Sequence, residues 1–216
     1  MREKQKYSHI IWDWNGTLFN DVGWCIDVIN QMLSKRKLKT LEGVSEYHNV
    51  FCFPIINYYK NVGFDFSVEP FEDLAAEYIA IYHSSKSGNR GLYPCVDTVL
   101  ATIQKLGIPQ VILSASEIGN LLSQIGEFYI AGYFDEILGL SDIYARSKVD
   151  VGLDYIARKN VGNAILIGDT MHDYEVANAL GVDCVLISNG HQSKKILESC
   201  NVPVLDDIST LVEYIC

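Results

Sequence analysis

Short apolar runs recur along the chain, each ending at a small or polar residue and followed by residues with helical spacing. "HIIW" ends at Asp13, "QVILS" at Ser114, "AILIG" at Asp169 and "CVLIS" at Asn189. Runs that are apolar at every position, not at alternate ones, suit strands buried on both faces of a parallel sheet. Between them, Val96, Val99, Leu100, Ile103 and Leu106 recur at three- and four-residue intervals and stop at Gly107, which predicts an amphipathic helix with a glycine at its end. Strand and helix alternating in this order predict a doubly wound, Rossmann-like α/β domain.

Residues 19–91 break the alternation. Val22, Ile26, Ile29 and Leu33 mark one amphipathic helix, and Phe71, Leu74, Ala75, Tyr78 and Tyr82 mark another. The turn-forming "KSGNRG" at 86–91 then leads back at Tyr93-Pro94. The expected organisation is a core of residues 1–18 and 92–216, with a small helical cap of residues 19–91 inserted above the sheet edge. Tyr58, Tyr59, Tyr78 and Tyr82 fit helix packing in that cap and are not assigned to substrate.

Composition narrows the class. The 216 residues are 49% hydrophobic and 20% charged, as in an ordinary folded domain. A formal charge of -10 argues against a nucleic-acid binder, which needs a basic face. The six cysteines form no CxxC pair and stand mostly among apolar residues, as buried free thiols do. No run reaches membrane-span length, and "MREKQKYSHI" lacks the apolar centre of a signal peptide, so a cytoplasmic location is expected.

Parallel strands all end on one side, where open α/β sheets bind their ligands, so Asp13, Ser114 and Asp169 are expected to converge there. Asp173 follows Asp169 by one helical turn and lies on the same face. Three carboxylates gathered in a half-buried cleft repel one another strongly. A bound cation resolves this, and an all-oxygen donor set points to a hard ion, Mg²⁺. Such an ion invites a phosphoryl group. The backbone amides around Asn15, Gly16 and Thr17, and those after Ser114, including Ala115, are expected to face that anion. Asp13 would then be the nucleophile of an aspartyl-phosphate pathway.

These motifs resemble those of the haloacid dehalogenase-like hydrolases, in the phosphatase type with a helical cap after the first motif. The first motif is "DWNGTL" at 13–18, the second is Ser114, the third is Lys148 in "SKVD", and the fourth is "IGDTMHDYEVANALG" at 167–181. The resemblance implies that Asp13 attacks phosphorus and binds Mg²⁺, that the backbone carbonyl of Asn15 and the carboxylate of Asp169 are further metal ligands, and that Asp173 stands beside the ion. It implies that Ser114 donates to phosphoryl oxygens and that Lys148 neutralises charge on Asp13 and the phosphate. The implied substrate is a small phosphorylated metabolite, with sugar phosphates, phosphoglycolate and nucleotides as candidates.

One position departs from that pattern. Family phosphatases usually carry an acid–base Asp where this chain has Asn15, and an amide cannot exchange that proton. Three outcomes follow: a phosphatase whose leaving group or another residue meets the need, a slow phosphotransfer protein, or a phosphate-binding module. Dehalogenation of a 2-haloacid is a fourth reading, although it needs no metal and gives Asp169 and Asp173 little to do. His172 is expected to point to solvent and His191 to be a surface-loop histidine. Gly168 and Gly181 are expected to serve a close turn and a helix end.

Overall fold

The computed structural model describes residues 6–84, 90–141 and 147–215. Most of "KSGNRG" lies outside the described residues. In chain order the elements are β1 (His9–Trp12), β2 (Phe19–Asn20), α1 (Val22–Lys35), α2 (Val44–Val50), α3 (Ile55–Asn61), α4 (Phe71–Ser84) and β3 (Gly91–Leu92). They continue as α5 (Val96–Lys105), β4 (Gln110–Glu117), α6 (Ile118–Gly126), β5 (Glu136–Leu140), α7 (Lys148–Lys159), β6 (Ala164–Gly168) and α8 (Met171–Leu180). The last are β7 (Asp183–Ile187), α9 (Lys194–Leu197), β8 (Val204–Leu205) and α10 (Leu211–Ile215).

Six parallel strands form the main sheet in the order β5-β4-β1-β6-β7-β8. The chain builds outward from β1 to β4 and β5, then returns to the other side of β1 for β6, β7 and β8. Strand order therefore reverses about β1, and the end of β1 is the switch point at which such sheets bind ligands. Asp13 occupies it.

Period-two alternation supplies both faces with apolar side chains. Ile10, Trp12, Ile112, Ile165, Ile167, Val185 and Ile187 pack on one side with α5, α6 and α10. Ile11, Val111, Leu113, Leu166, Cys184 and Leu186 pack on the other with α7 and α8. Burial on both faces explains why these strands read as continuous apolar runs.

A third apolar cluster belongs to α1–α4, with Val28, Ile29, Met32, Leu33, Tyr47, Tyr58, Tyr59 and Leu74 at its centre. The chain leaves the sheet through β2 and re-enters through β3, paired antiparallel as Phe19 with Leu92 and Asn20 with Gly91. The periodicity of α1 and α4 is evident in the sequence. That of α2 and α3 is not, because seven-residue helices rich in aromatics carry too few repeats. Among the described residues, no helix is long and apolar enough to cross a membrane.

Candidate active site

The loop after β1 sets the first part of the site. Trp14 O accepts from the N–H groups of Thr17, Leu18 and Phe19, which winds residues 14–19 into a tight turn. Gly16 has φ +76, and a Cβ there would overlap the carboxylate of Asp169 and the ring of His191. Only glycine lets the loop pass this close. Thr17 then reaches both acids: its hydroxyl lies 3.1 Å from Asp169 Oδ1 and 3.3 Å from Asp13 Oδ2.

The second part comes from the start of α8. Thr170 and Asp173 form a capping box, a reciprocal satisfaction of helix-start amides. Asp173 Oδ2 accepts from Thr170 Oγ1 at 2.7 Å, Thr170 N at 3.1 Å and Asp169 N at 3.2 Å. Its other oxygen, Oδ1, is 2.6 Å from Lys148 Nζ, which is also 2.5 Å from Asp13 Oδ1. Lys148 is the first residue of α7, fixed by the Ser147–Asp150 capping box, and it is 4% exposed. Burial alone would lower the Lys148 pKa, but Asp13 and Asp173 more than offset this and hold it raised. Ser114 is buried in β4, and its Oγ accepts from Ser116 N at 3.1 Å. Exposed Ala115 follows, where the register of β4 against β5 shifts between Leu113 and Glu117. The strand continues to Glu117 instead of ending at Ser114.

Asp13, Asp169 and Asp173 offer carboxylate oxygens that all lie within 4.8 Å of one another. Desolvation, then the Asp173 charge, raises the Asp13 pKa to about 6. Desolvation raises that of Asp169 to about 8, with the charges of Asp173 and Asp13 adding to it and His191 opposing it. Desolvation also acts upward on Asp173, but Lys148 and Thr170 hold its pKa lowered. Asp169 is completely buried, and among the described residues no lysine or arginine pairs with it.

The structure changes two expectations and qualifies a third. Gly16 and Thr17 do not present free amides to a ligand: Gly16 N donates to Phe19 O at 2.8 Å and Thr17 N to Trp14 O at 3.3 Å. The turn consumes them, so Gly16 serves by close approach and Thr17 by its side chain. His191 is no surface-loop residue; it is 6% exposed, and its N–H donates to Asp169 Oδ2 at 2.6 Å. Its ring holds Tyr47 Oη 2.8 Å from Nδ1 and Asp21 Oδ1 3.2 Å from Nε2, the latter an ion pair lying off the line of a hydrogen bond. Burial would lower the His191 pKa, but Asp21 raises it to about 9. His172 is partly exposed, as expected, yet its ring packs 5.1 Å from Phe53 at the cavity edge.

Asp21 and Tyr82 complete the surroundings, and neither stood out in the sequence. Tyr82 was expected only to pack, but its hydroxyl donates to Asp21 Oδ2 at 2.6 Å. Asn15 donates to the same oxygen at 2.8 Å and to Tyr82 Oη at 3.1 Å, while its Oδ1 accepts from Ser116 Oγ at 3.0 Å. Asp21 looks like a helix N-cap from its place before α1, but it makes no capping bond. A buried acid whose main partners, Asn15, Tyr82 and His191, come from other segments is visible only once the fold is formed.

The donor set fits Mg²⁺. When all four buried carboxylates (Asp13, Asp21, Asp169 and Asp173) are ionised they face two buried cations, Lys148 and His191, and two negative charges remain uncompensated; without an ion, the raised pKa of Asp169 lets a proton offset one of them. A divalent ion removes that excess, and the donors beside Asp169 are hard oxygens. Asp173 already has both oxygens occupied, which suits it to orienting work beside an ion more than to direct ligation.

The sequence profile of the haloacid dehalogenase-like hydrolases matches residues 10–187, from β1 to β7. The chain belongs to this family. It is 24% identical over 218 residues to a phosphoglycolate phosphatase of Pseudomonas savastanoi pv. phaseolicola, covering 94% of this chain and 78% of the relative. It is also 24% identical over 212 residues to a phosphoglycolate phosphatase of Rhodobacter capsulatus, covering 94% of each. Among solved structures, a haloacid dehalogenase-like hydrolase of Streptococcus pneumoniae shares the fold, with a TM-score of 0.82, 17% identity and coverage of 98% of this chain and 99% of the other.

Proposed function

We propose that this protein is a Mg²⁺-dependent phosphatase that hydrolyses a small phosphate monoester through an aspartyl-phosphate on Asp13. The observation that carries the proposal is the cluster of Asp13, Asp169 and Asp173 at the sheet's switch point, with a buried lysine shared by Asp13 and Asp173. The curated relatives named above, all phosphoglycolate phosphatases, support the same reaction class.

Asp13, Asp169 and the backbone carbonyl of Asn15 would hold the ion. When bound, it supplies positive charge that draws a phosphoryl group in and stabilises it during transfer. Asp13 Oδ attacks phosphorus. Lys148 keeps Asp13 ionised and shares the charge of the phosphoryl oxygens, to which the Ser114 hydroxyl donates. Asp173 holds Lys148 from behind. Enclosure by α2 and α4 excludes bulk water during the first step.

The test is phosphate release from phenyl phosphate with Mg²⁺ and with chelator. Metal-dependent release that vanishes in Asp13→Asn, with a hydroxylamine-labile phosphoryl label on the wild-type protein, is the expected result. Release that persists in chelator would end this reading. The locked amide of Asn15 favours one second reading, a phosphotransfer protein whose aspartyl-phosphate breaks down slowly. In that case label accumulates to one equivalent while free phosphate lags.

A further inference from the structure

The cavity over Asp13 has a volume of about 870 Å³, the scale that encloses a drug-sized ligand and far beyond the needs of a two-carbon phosphate. Its lining has two sources of different chemistry. The core contributes the carboxylates, Lys148 and polar side chains such as Ser114 and Ser116. The cap contributes Phe51, Phe53, Ile55, Tyr78, Ile79 and Tyr82. Among the described residues of the wall the cations are Lys148, which Asp13 and Asp173 already share, and His191, which is paired with Asp21. An ester whose alcohol part carries a carboxylate would bring a further negative charge to a wall whose two cations are already paired with Asp13, Asp173 and Asp21, a costly arrangement. A flat, neutral, aromatic alcohol part meets surfaces that suit it.

A second observation concerns the leaving oxygen. Both hydrogens of the Asn15 amide are given to Asp21 and Tyr82, and its oxygen is taken by Ser116. The two ring nitrogens of His191 face Tyr47 and Asp21. Lys148 is clamped between two carboxylates. The remaining wall imidazoles, His83 and His172, pack on Tyr82 and Phe53. The groups bonded to Asp13 or Asn15 are Lys148, Thr17, Asp21, Tyr82 and Ser116, and none of them is an imidazole or a carboxyl free of other partners. A phenol, with a pKa of about 10, departs as its anion far more readily than an aliphatic alcohol near water's ~15.7.

Resting on the phosphatase reading above, we propose that the site is selective for phosphate monoesters of neutral aromatic alcohols, aryl phosphates, over carboxylate-bearing esters such as phosphoglycolate. Asp13 Oδ forms a bond to phosphorus as the phosphorus–oxygen bond of the ester breaks. The electron pair leaves on the phenolate oxygen, which takes its proton from solvent. Water then attacks the same phosphorus, the Asp13–phosphorus bond breaks, the carboxylate is restored, and phosphate leaves with the elements of water. The second step also expels a carboxylate, a leaving group that needs no proton.

The experiment compares kcat/KM of the full chain in Mg²⁺ for 1-naphthyl phosphate, benzyl phosphate and phosphoglycolate. Benzyl phosphate keeps the ring but leaves as an alkoxide. The expected order is naphthyl above benzyl by roughly tenfold or more, and naphthyl above phosphoglycolate by roughly a hundredfold. Ile79→Arg, at a position 46% exposed, should move the phosphoglycolate-to-naphthyl ratio up by roughly tenfold by supplying the missing cation. Phosphoglycolate turned over as well as or better than naphthyl phosphate, or benzyl phosphate equalling naphthyl, would overturn the inference while leaving the phosphatase standing. If no ester turns over, the phosphatase reading is lost, and competitive binding then decides the selectivity: tighter phosphoglycolate than naphthyl phosphate overturns it, the reverse upholds it.

Discussion

The side-chain amide of Asn15 donates to Asp21 Oδ2 across 2.8 Å, joining the loop that follows Asp13 to the start of α1. Asp21 in turn pairs with His191, so position 15 is held by a buried charge on one side and the Tyr82 hydroxyl on the other. The amide is a fixed strut, and its chemistry can be changed by one atom.

Asn15→Asp puts a second carboxyl against Asp21. Two acids that close share a proton, which raises the pKa of one of them and creates the donor that the native site lacks. Turnover of benzyl phosphate should rise by roughly tenfold or more, within the range of general acid catalysis. Stability should fall by about 1–3 kcal/mol for the lost amide bonds. Steady-state kinetics and urea unfolding check the two halves separately.

Lys148→Met removes the cation shared by Asp13 and Asp173 and leaves buried carboxylates uncompensated. Breaking a buried pair in this way costs about 3–5 kcal/mol. The urea midpoint in chelator should drop accordingly, and activity should be lost. Adding Mg²⁺ should recover part of the stability and none of the rate.

In chelator, stability should decline as pH rises from about 4 to about 9, first through Asp13, then Asp169 and last His191. Asp13 and Asp169 have folded pKa values raised to about 6 and about 8, and that of His191 is raised to about 9. Each group holds its proton more tightly folded than unfolded, so its contribution is complete below the unfolded pKa and is lost as pH climbs through the folded value. Asp21 and Asp173 are shifted downward and change only at more acidic pH. Saturating Mg²⁺ should flatten the decline by replacing protons with metal charge. Unfolding midpoints across this range, with and without Mg²⁺, give the measurement.

Gly16→Ala should fail at two levels. The φ of +76 strains any side chain, and the added methyl collides with Asp169 and His191. A fall of about 1–3 kcal/mol in unfolding free energy is expected, with Mg²⁺ affinity reduced in calorimetric titration.

Much of this architecture is legible in the sequence. The central strands β1, β4, β6 and β7 announce themselves because both their faces are buried, leaving no polar residue to interrupt the run. β5 and β8 lie at the sheet edges, β5 with acids beside it and β8 only two residues long, and neither stands out. The acids Asp13, Asp169 and Asp173 are legible because strand ends and one helical turn bring them together. Asp21, His191 and Tyr82 are not, since their meeting depends on how α2 and α4 settle over the sheet. Local pattern carries information about one element at a time, and those contacts join three.

The ribbon of β2 and β3 isolates what lies beyond it. Because Phe19 pairs with Leu92 and Asn20 with Gly91, the ends of the long excursion are fixed side by side whatever the excursion contains. Lengthening or exchanging the helices between them adds only a slowly growing closure entropy. Residues that line the cavity can therefore drift while Asp13 stays anchored at the end of β1, and new appetites can arise in this scaffold without rebuilding its base.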